Sequence, residues 1–386
     1  MPTKRRIFPL NLVMFAALTG LLLLILGTAY SQAQDESLSA PPIDLAEYLT
    51  GAIERGESPG LIAAVIDEHG VRAIGAAGLR RQGSRSPITV DDLVHIGSNT
   101  KAMTATMLAT LVADGTFSKG WKTTIGDVFP KLAKRIHKDY RSVTLSQMVR
   151  MGAGMPHMPK NQWAYANQRD IRKRRYAIIR ESLKASPAGP RGKFLYSNLS
   201  YMVAALLAEG RTGKSWETLM QERLFAPLGM TTAGFGPPGT PRKVDQPWGH
   251  GRKGSGWVPN RDDNDLSLGP AGTIHLSIED WAKFVVLWFP RREPAVLDRR
   301  TLNELAQPAS SSGDYAAGWF VWPRPWAAGH VLHHDGSNLS WRSALWIAPN
   351  RNVAYLAVAN AADFFDGDDT YWTIDSVIGS LIKDRL

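Results

Sequence analysis

Residues 95–108 read HIGSNTKAMTATML, and they put a serine at the mouth of an apolar helix with a lysine three positions on. Beyond Ser98 and Lys101, the side chains Met103, Met107, Leu108, Leu111 and Val112 recur at helical spacing until Gly115 ends the run. Two readings fit. In the structural one Ser98 is an N-cap and Lys101 points to water. In the chemical one Ser98 is a nucleophile at the positive end of a helix dipole, with an amine one turn away. Residues three apart share a helix face, so Ser98 Oγ and Lys101 Nζ can meet. The tetrad alone does not choose. A second Ser-x-x-Lys, Ser380 to Lys383, lies inside a C-terminal helical pattern with no strand before it.

On either side of this stretch the hydrophobic period changes. Upstream, PPIDLAEYLTGAIERG (41–56) reads as a helix, and two β-rich runs, 61–67 and 71–79, are joined by Glu68-His69-Gly70 as a hairpin. Downstream, the pattern from Ser98 to about Trp257 is mostly helical, broken by Pro and Gly. Ser277, with Asp280 three residues on, starts another helix. The last third returns to strands at 319–322, 330–335, 341–347 and 353–359, with Pro349-Asn350-Arg351 turning between the last two, and 371–386 ends as a helix. Strands at both ends with helices between predict an α/β (α+β) fold. Its antiparallel sheet is built from the two chain ends and flanked by terminal helices, with a helical region inserted. The folded domain is therefore placed at 40–386, its sheet part about 40–97 and 310–386 and its helical part about 98–260.

With 386 residues, 44% of them hydrophobic and 21% charged, the chain has enough core for one large domain or two modest ones. Lys4, Arg5 and Arg6 precede the apolar run 12–27, and Ser31-Gln32-Ala33 supplies small residues for cleavage. Residues 1–33 thus follow the layout of a secretory signal peptide. The alternative is an uncleaved inner-membrane anchor through residues 10–29, nearly long enough to span. Both readings export the folded part, with the periplasm as its expected location. No cysteine is present, which excludes disulfides, lipid-modified cysteine and thiolate metal sites. Residues 1–33 hold three cations and no acid, so without them 42 Lys+Arg face 35 Asp+Glu, a net +7. Much of that excess lies in 160–184, which has eight basic residues against two acids. Such a segment is either the solvated face of a surface helix or a contact for an anionic envelope polymer or a membrane surface. No nucleic-acid module accompanies it.

Two further motifs occur twice each. Tyr165-Ala166-Asn167 sits in the basic polar segment and starts nothing, whereas Tyr196-Ser197-Asn198 enters the apolar helix LSYMVAALLAE. By itself Tyr196 is equally well a half-buried tyrosine with a satisfied hydroxyl. His-x-Gly occurs as His95-Ile96-Gly97 and as His334-Asp335-Gly336, the latter within the strand-like HVLHHDGSN, where an edge strand could line a cleft. In chain order, Ser98-Asn99-Thr100-Lys101, Tyr196-Ser197-Asn198 and His334-Asp335-Gly336 resemble the three motifs of the class C β-lactamase-related serine hydrolases. That superfamily includes penicillin-binding-protein-like D-alanyl-D-alanine carboxypeptidases, class C enzymes and family VIII esterases. The stretches FAPLGMTTAGF (225–235), GPAGTIHLSIEDWAKF (269–284) and DYAAGWFVW (314–322) are similar too, and the resemblance runs from about Asp44 to the C-terminus. Two departures stand out. MVRMGAGMP (148–156) occupies the place where family members usually carry leucines and a His-x-Ser-Gly. His334 stands where β-lactamases and carboxypeptidases usually have lysine, although histidine is familiar among the esterase-like relatives.

The resemblance implies a β-lactamase/transpeptidase-like architecture and an acyl transfer without metal or organic cofactor. Ser98 would attack a carbonyl carbon to form an acyl-enzyme. Lys101 can take its proton if burial lowers the amine pKa, and Tyr196 can if nearby cations favour the phenolate. The sequence leaves that order open. By resemblance Asn198 holds Lys101 and the substrate, His334 contacts the substrate, and the backbone N–H groups of Ser98 and of Ser337, after Gly336, form the oxyanion hole.

Three rival readings are weaker. Gly56-Glu57-Ser58-Pro59-Gly60 matches the G-x-S-x-G elbow, but a helix precedes it and a strand follows, the reverse of what that motif needs. His330 and His334 share a strand face but lie roughly 13 Å apart at ~3.3 Å per residue, too far to hold one metal ion. A binding or scaffold protein on the same fold would be marked by loss of a motif residue, and all are present. His334 also bears on the substrate. Lysine there would set a fixed charge beside the carboxylate of a β-lactam or a D-Ala-D-Ala peptide. Histidine is mostly uncharged at neutral pH, and nearby Lys101 lowers its protonation further. The expectation is an exported serine hydrolase of short esters or uncharged amides, more esterase- or amidase-like than a true β-lactamase. A D-amino-acid peptidase or a β-lactamase is the alternative.

Overall fold

The computed structural model describes residues 41–309, 313–363 and 369–386. The chain opens with β1 (Ile43–Asp44), α1 (Ala46–Glu54) and the hairpin β2 (Gly60–Asp67) and β3 (Gly70–Gly78). The principal helices that follow are α2 (Thr100–Ala113), α3 (Ile171–Ser182), α4 (Asn198–Thr212) and α5 (Ile278–Val285). The chain then returns to β4 (Phe320–Arg324), β5 (Gly329–Ser337), β6 (Arg342–Ala348) and β7 (Val353–Ala359), and closes with α6 (Asp369–Lys383). The sheet order is β1-β3-β2-β7-β6-β5-β4. The two chain ends meet at β2 and β7, registered from Leu61 opposite Ala359 to Asp67 opposite Val353. Every pair is antiparallel except the two-residue β1, which lies parallel to β3.

The segment LIAAVI in β2 is apolar throughout because both of its faces are covered. Alternate side chains point to opposite layers. Leu61, Ala63 and Val65 pack with Leu45 and Leu49 of α1 and with Ile374, Ile378 and Leu381 of α6. Ile62, Ala64 and Ile66 face the helical layer, with Val94, Ile96 and Met103. Each large aliphatic withdrawn from water in this way stabilises the fold by about 1.5–3 kcal/mol.

Within the helical layer α2 is central. Its residues are buried without interruption from Thr100 to Leu111, so the apolar stripe seen in the sequence is one side of a helix enclosed on all sides. Its hydroxyls are satisfied internally: Thr104 Oγ1 donates to the Pro270 carbonyl at 2.9 Å and accepts from Trp216 Nε1 at 3.2 Å.

Parts of the expected helical region are extended. Gly234–Phe235 and Val94–His95 flank Ile274–Leu276 in a small sheet, and Gly249–Lys253 pairs with Gly256–Asn260 in a ribbon. The basic segment also differs from a wholly solvated helix face. Arg174 and Arg175 of α3 are buried, Arg174 paired with Asp265 and Arg175 with Glu209 and, at 2.8 Å, Glu217. Lys160, Arg169, Lys173 and Lys184 remain exposed.

The decoy motifs have structural partners. Ser58 is buried and donates to the Gly60 carbonyl at 2.9 Å, while Ser380 bonds its own helix at Ser376 O. Among the described residues no helix is long and apolar enough to cross a membrane. The signal-peptide and anchor readings of 1–33 and 10–29 lie outside the described residues.

Candidate active site

Ser98 is not the helix cap. It sits inside a 3-10 turn, Gly97–Asn99, that runs straight into α2, so its side chain is held by the turn and remains partly open. Two glycines make this placement possible. Gly97 adopts φ +51°, and a Cβ there would lie 2.2 Å from the Ser337 backbone nitrogen. A Cβ on Gly336 would lie 2.0 Å from the Ile96 carbonyl oxygen. The two His-x-Gly-Ser stretches therefore pack backbone against backbone, which side chains at these positions would prevent. The turn is pinned to β6 as well, since Asn99 Nδ2 donates to Ser343 Oγ and Ser343 Oγ donates to the Ile96 carbonyl, both at 3.0 Å.

Lys101 is fully buried, with Nζ 2.8 Å from Ser98 Oγ and donating to the Ala271 carbonyl at 2.7 Å. Nζ also lies 4.9 Å from the centre of the Tyr196 ring and 5.9 Å from that of Tyr201. Burial pushes the amine pKa well below its ordinary value, because a charged ammonium is poorly solvated among these rings and α2. Tyr196 moves the opposite way. Burial raises its phenol, with Ser98 countering part of the rise, so Tyr196 carries its proton. At neutral pH the site thus holds a deprotonation-prone amine and a protonated phenol around one serine hydroxyl.

His334, on β5, closes the other side. Its Nδ1 is 2.5 Å from the Asp335 carbonyl, which can only accept, so Nδ1 bears the proton and Nε2 accepts from the Tyr315 hydroxyl at 3.1 Å. Burial, helped by the Lys101 amine, lowers the His334 pKa to about 3. Its ring is 6.1 Å from Tyr196, and Phe194, Tyr315 and Phe320 complete an aromatic wall at centroid spacings of 4.9 to 6.0 Å. Phe194 exposes this wall to solvent.

Ser98, Lys101, Tyr196, His334, Gly336 and Ser337 are brought together, but the expected contact of Asn198 with Lys101 is not made. The Asn198 amide donates to Met158 Sδ at 3.1 Å, a thioether taking the place of the lysine as its partner. Where the usual histidine of His-x-Ser-Gly is missing, Met151 is buried at φ +56° and its Sδ accepts from the Ser197 N–H at 3.2 Å. Sequence reasoning passed over three contributors: Tyr315, the Ala271 carbonyl and the exposed His157, whose ring is 5.6 Å from Tyr196. Two lie within stretches already singled out, DYAAGWFVW and GPAGTIHLSIEDWAKF. His157 left no signal, because a histidine in a Pro-rich loop carries no period.

Comparison with known proteins supplies the family. The beta-lactamase family profile matches residues 45–377. The chain belongs to the beta-lactamase family. A similar curated member of known proteins is the unguisins hydrolase ungD' of Aspergillus campestris (strain IBT 28561), 25% identical over 82% of this chain and 61% of its own length. The chain spans about 61% of the length of the curated relatives it matches, the protein flp of Staphylococcus aureus among them. Among solved structures, the D-alanine carboxypeptidase AmpC of Burkholderia cenocepacia superposes at a TM-score of 0.67, with 19% identity over 87% of this chain and 98% of that one. The D-amino acid amidase of Ochrobactrum anthropi SV3 superposes at 0.68, with 21% identity over 88% and 98%. At these identities the likeness to the two structures is one of fold.

Proposed function

We propose that this family member is a serine hydrolase that forms an acyl-enzyme on Ser98 and takes esters or amides whose acyl part carries no carboxylate. The carrying observation is the wholly buried Lys101 amine 2.8 Å from Ser98 Oγ. As a neutral amine, Lys101 accepts the Ser98 proton while Oγ attacks the carbonyl carbon. The Ser98 and Ser337 N–H groups receive the developing oxyanion. Tyr196, protonated and beside the same serine, passes a proton to the leaving group. Water then hydrolyses the acyl-enzyme with the proton roles reversed. His334, neutral and engaged through both nitrogens, supplies no cation for a substrate carboxylate, and the aromatic wall beside it suits an apolar acyl group.

The test is intact-mass measurement after a fluorophosphonate probe, followed by turnover of p-nitrophenyl butyrate, D-amino-acid amides and nitrocefin. A single adduct lost in Ser98→Ala, with the butyrate ester outpacing nitrocefin, is the expected result. An adduct that survives Ser98→Ala ends the assignment, and a folded protein inert across the whole panel supports the scaffold reading. The same proposal includes export. The N-terminus of protein isolated from its host is expected near Gln34, whereas a membrane-held chain beginning at Met1 would mark the anchor. A contact between the exposed basic residues of 160–184 and an anionic envelope polymer belongs to that exported setting.

A further inference from the structure

The second His-x-Gly, His95-Ile96-Gly97, is not used by the mechanism above, yet His95 is wholly buried one residue from the nucleophile's turn. Its Nδ1 accepts from the Gly97 N–H at 3.2 Å. That leaves Nε2 as the protonated nitrogen, and it lies 3.1 Å from Asp263 Oδ1, off the line of a straight hydrogen bond. The Asp263 side chain is largely buried, and its Oδ1 also accepts from the Asn264 N–H at 2.7 Å and from Asn338 Nδ2 at 2.9 Å. Asn338 directly follows Ser337 and is itself buried, its Oδ1 accepting from the Ser340 N–H at 3.1 Å. One carboxylate thus reaches both strands of backbone that press together at Gly97 and Ser337. The same loop holds a third component. Asn264 Nδ2 donates to the Gly272 carbonyl at 2.8 Å, beside the Ala271 carbonyl that takes Lys101.

We infer that Asp263 and His95 are positioning residues that fix the two halves of the oxyanion hole against each other, through Gly97 on one side and Asn338 on the other. Neither touches the reacting atoms. The chain Asp263–His95–Gly97 N–H orients the peptide plane just before Ser98, and Asp263–Asn338 orients the turn just after Ser337. A hydrolase that relied on packing alone at this point would place an apolar side chain at position 95. A buried histidine with one nitrogen bonded to the Gly97 N–H and the other 3.1 Å from a carboxylate supplies orientation that packing cannot. The inference rests on the hydrolase reading for its kinetic consequence, but its structural content can be measured separately.

The experiment uses the full chain and two readouts, p-nitrophenyl butyrate kinetics and hydrogen exchange of the backbone amides in 96–102 and 335–340. His95→Phe keeps a planar ring, somewhat larger, and removes both polar nitrogens. It is expected to lower kcat about 10- to 100-fold, the range a misaligned donor costs, with KM little changed, and to speed exchange in 96–102. In His95→Asn the side-chain oxygen can accept from Gly97 N–H, so it is expected to restore slow exchange there and most of kcat. Asp263→Asn, which removes the charge at nearly constant volume, is expected to speed exchange in both segments and serves if His95→Phe fails to fold. Unchanged exchange and kcat in His95→Phe overturn the inference. So does an equal loss in His95→Phe and His95→Asn, which would mark a purely steric role. If the unaltered protein turns over no ester while the exchange pattern follows expectation, the hydrolase reading fails and the brace stands.

Discussion

Around Ser98 three side chains have their protons arranged by burial rather than by pairing with acids. Lys101 loses its proton more readily than a free lysine, Tyr196 holds its own more firmly, and His334 stays neutral down to about pH 3. The kcat/KM for a neutral ester is therefore expected to rise with pH as Lys101 deprotonates, with an apparent pKa below that of free lysine and no contribution from His334. An inflection near 6.5 that disappears in His334→Gln would show that the histidine titrates in the working enzyme. His334→Lys is the complementary change. It restores a cation where a substrate carboxylate would lie, and it removes the imidazole nitrogen that faces the Tyr315 hydroxyl. Above pH 7 the ratio of kcat/KM for benzylpenicillin to that for p-nitrophenyl butyrate is expected to increase. An unchanged ratio in a folded variant assigns the preference to the surrounding loops instead.

At the scale of elements, α3 is held to the body of the helical layer by charge. Arg175 is buried with Glu209 and Glu217 as partners and donates Nε to the Ser267 carbonyl at 3.1 Å. Removing one member of a buried pair strands the other without water, a loss of about 3–5 kcal/mol. Arg175→Ala should therefore lower urea-unfolding stability by about that amount, whereas Lys173→Ala on the exposed face should cost little. Similar losses in the two variants would argue against a buried role for Arg175.

The same helix shows where sequence legibility stopped. Its partners lie 34 and 42 residues away, so a charge count over 160–184 saw neither counter-ion of Arg175. Strands β2, β3, β6 and β7 were legible because their apolar runs are short, continuous and bounded by turn residues. The ribbon at Gly249–Lys253 and Gly256–Asn260 was not, because GHGRKGSGW carries the glycines of a loop and little apolar alternation. In the site itself, motif residues were legible, while Met158 as the partner of Asn198 was not. That contact depends on how two loops meet, which no spacing records.

Across the whole molecule, buried neutral histidines link stability to pH. His250 joins three remote segments: Nδ1 donates to the Asn360 carbonyl at 2.7 Å, Nε2 accepts from the Gln82 N–H at 2.9 Å, and its own N–H donates to the Ser340 carbonyl. Protonating Nε2 would set one donor against another. Burial lowers its pKa to about 4, against the pull of the Asn360 carbonyl, and burial with the Lys101 charge lowers His334 to about 3. Unfolded, both histidines titrate near 6.5. Between about pH 6.5 and 4 the unfolded chain thus binds protons that the folded chain refuses, so stability rises with pH through that window and is lost as pH falls. At about 1.4 kcal/mol per unit of pKa difference, each histidine is expected to account for a few kcal/mol. Glu209, raised chiefly by burial, works in the opposite direction by taking a proton more readily when folded. The discriminating quantity is therefore a difference between variants. Urea-unfolding free energies measured at pH 7, 6, 5 and 4 should fall less steeply in His250→Gln than in the unaltered protein, even if the variant is weaker at pH 7. Parallel slopes would mean that His250 takes up its proton in the folded state and that the three-segment contact around it opens on acidification.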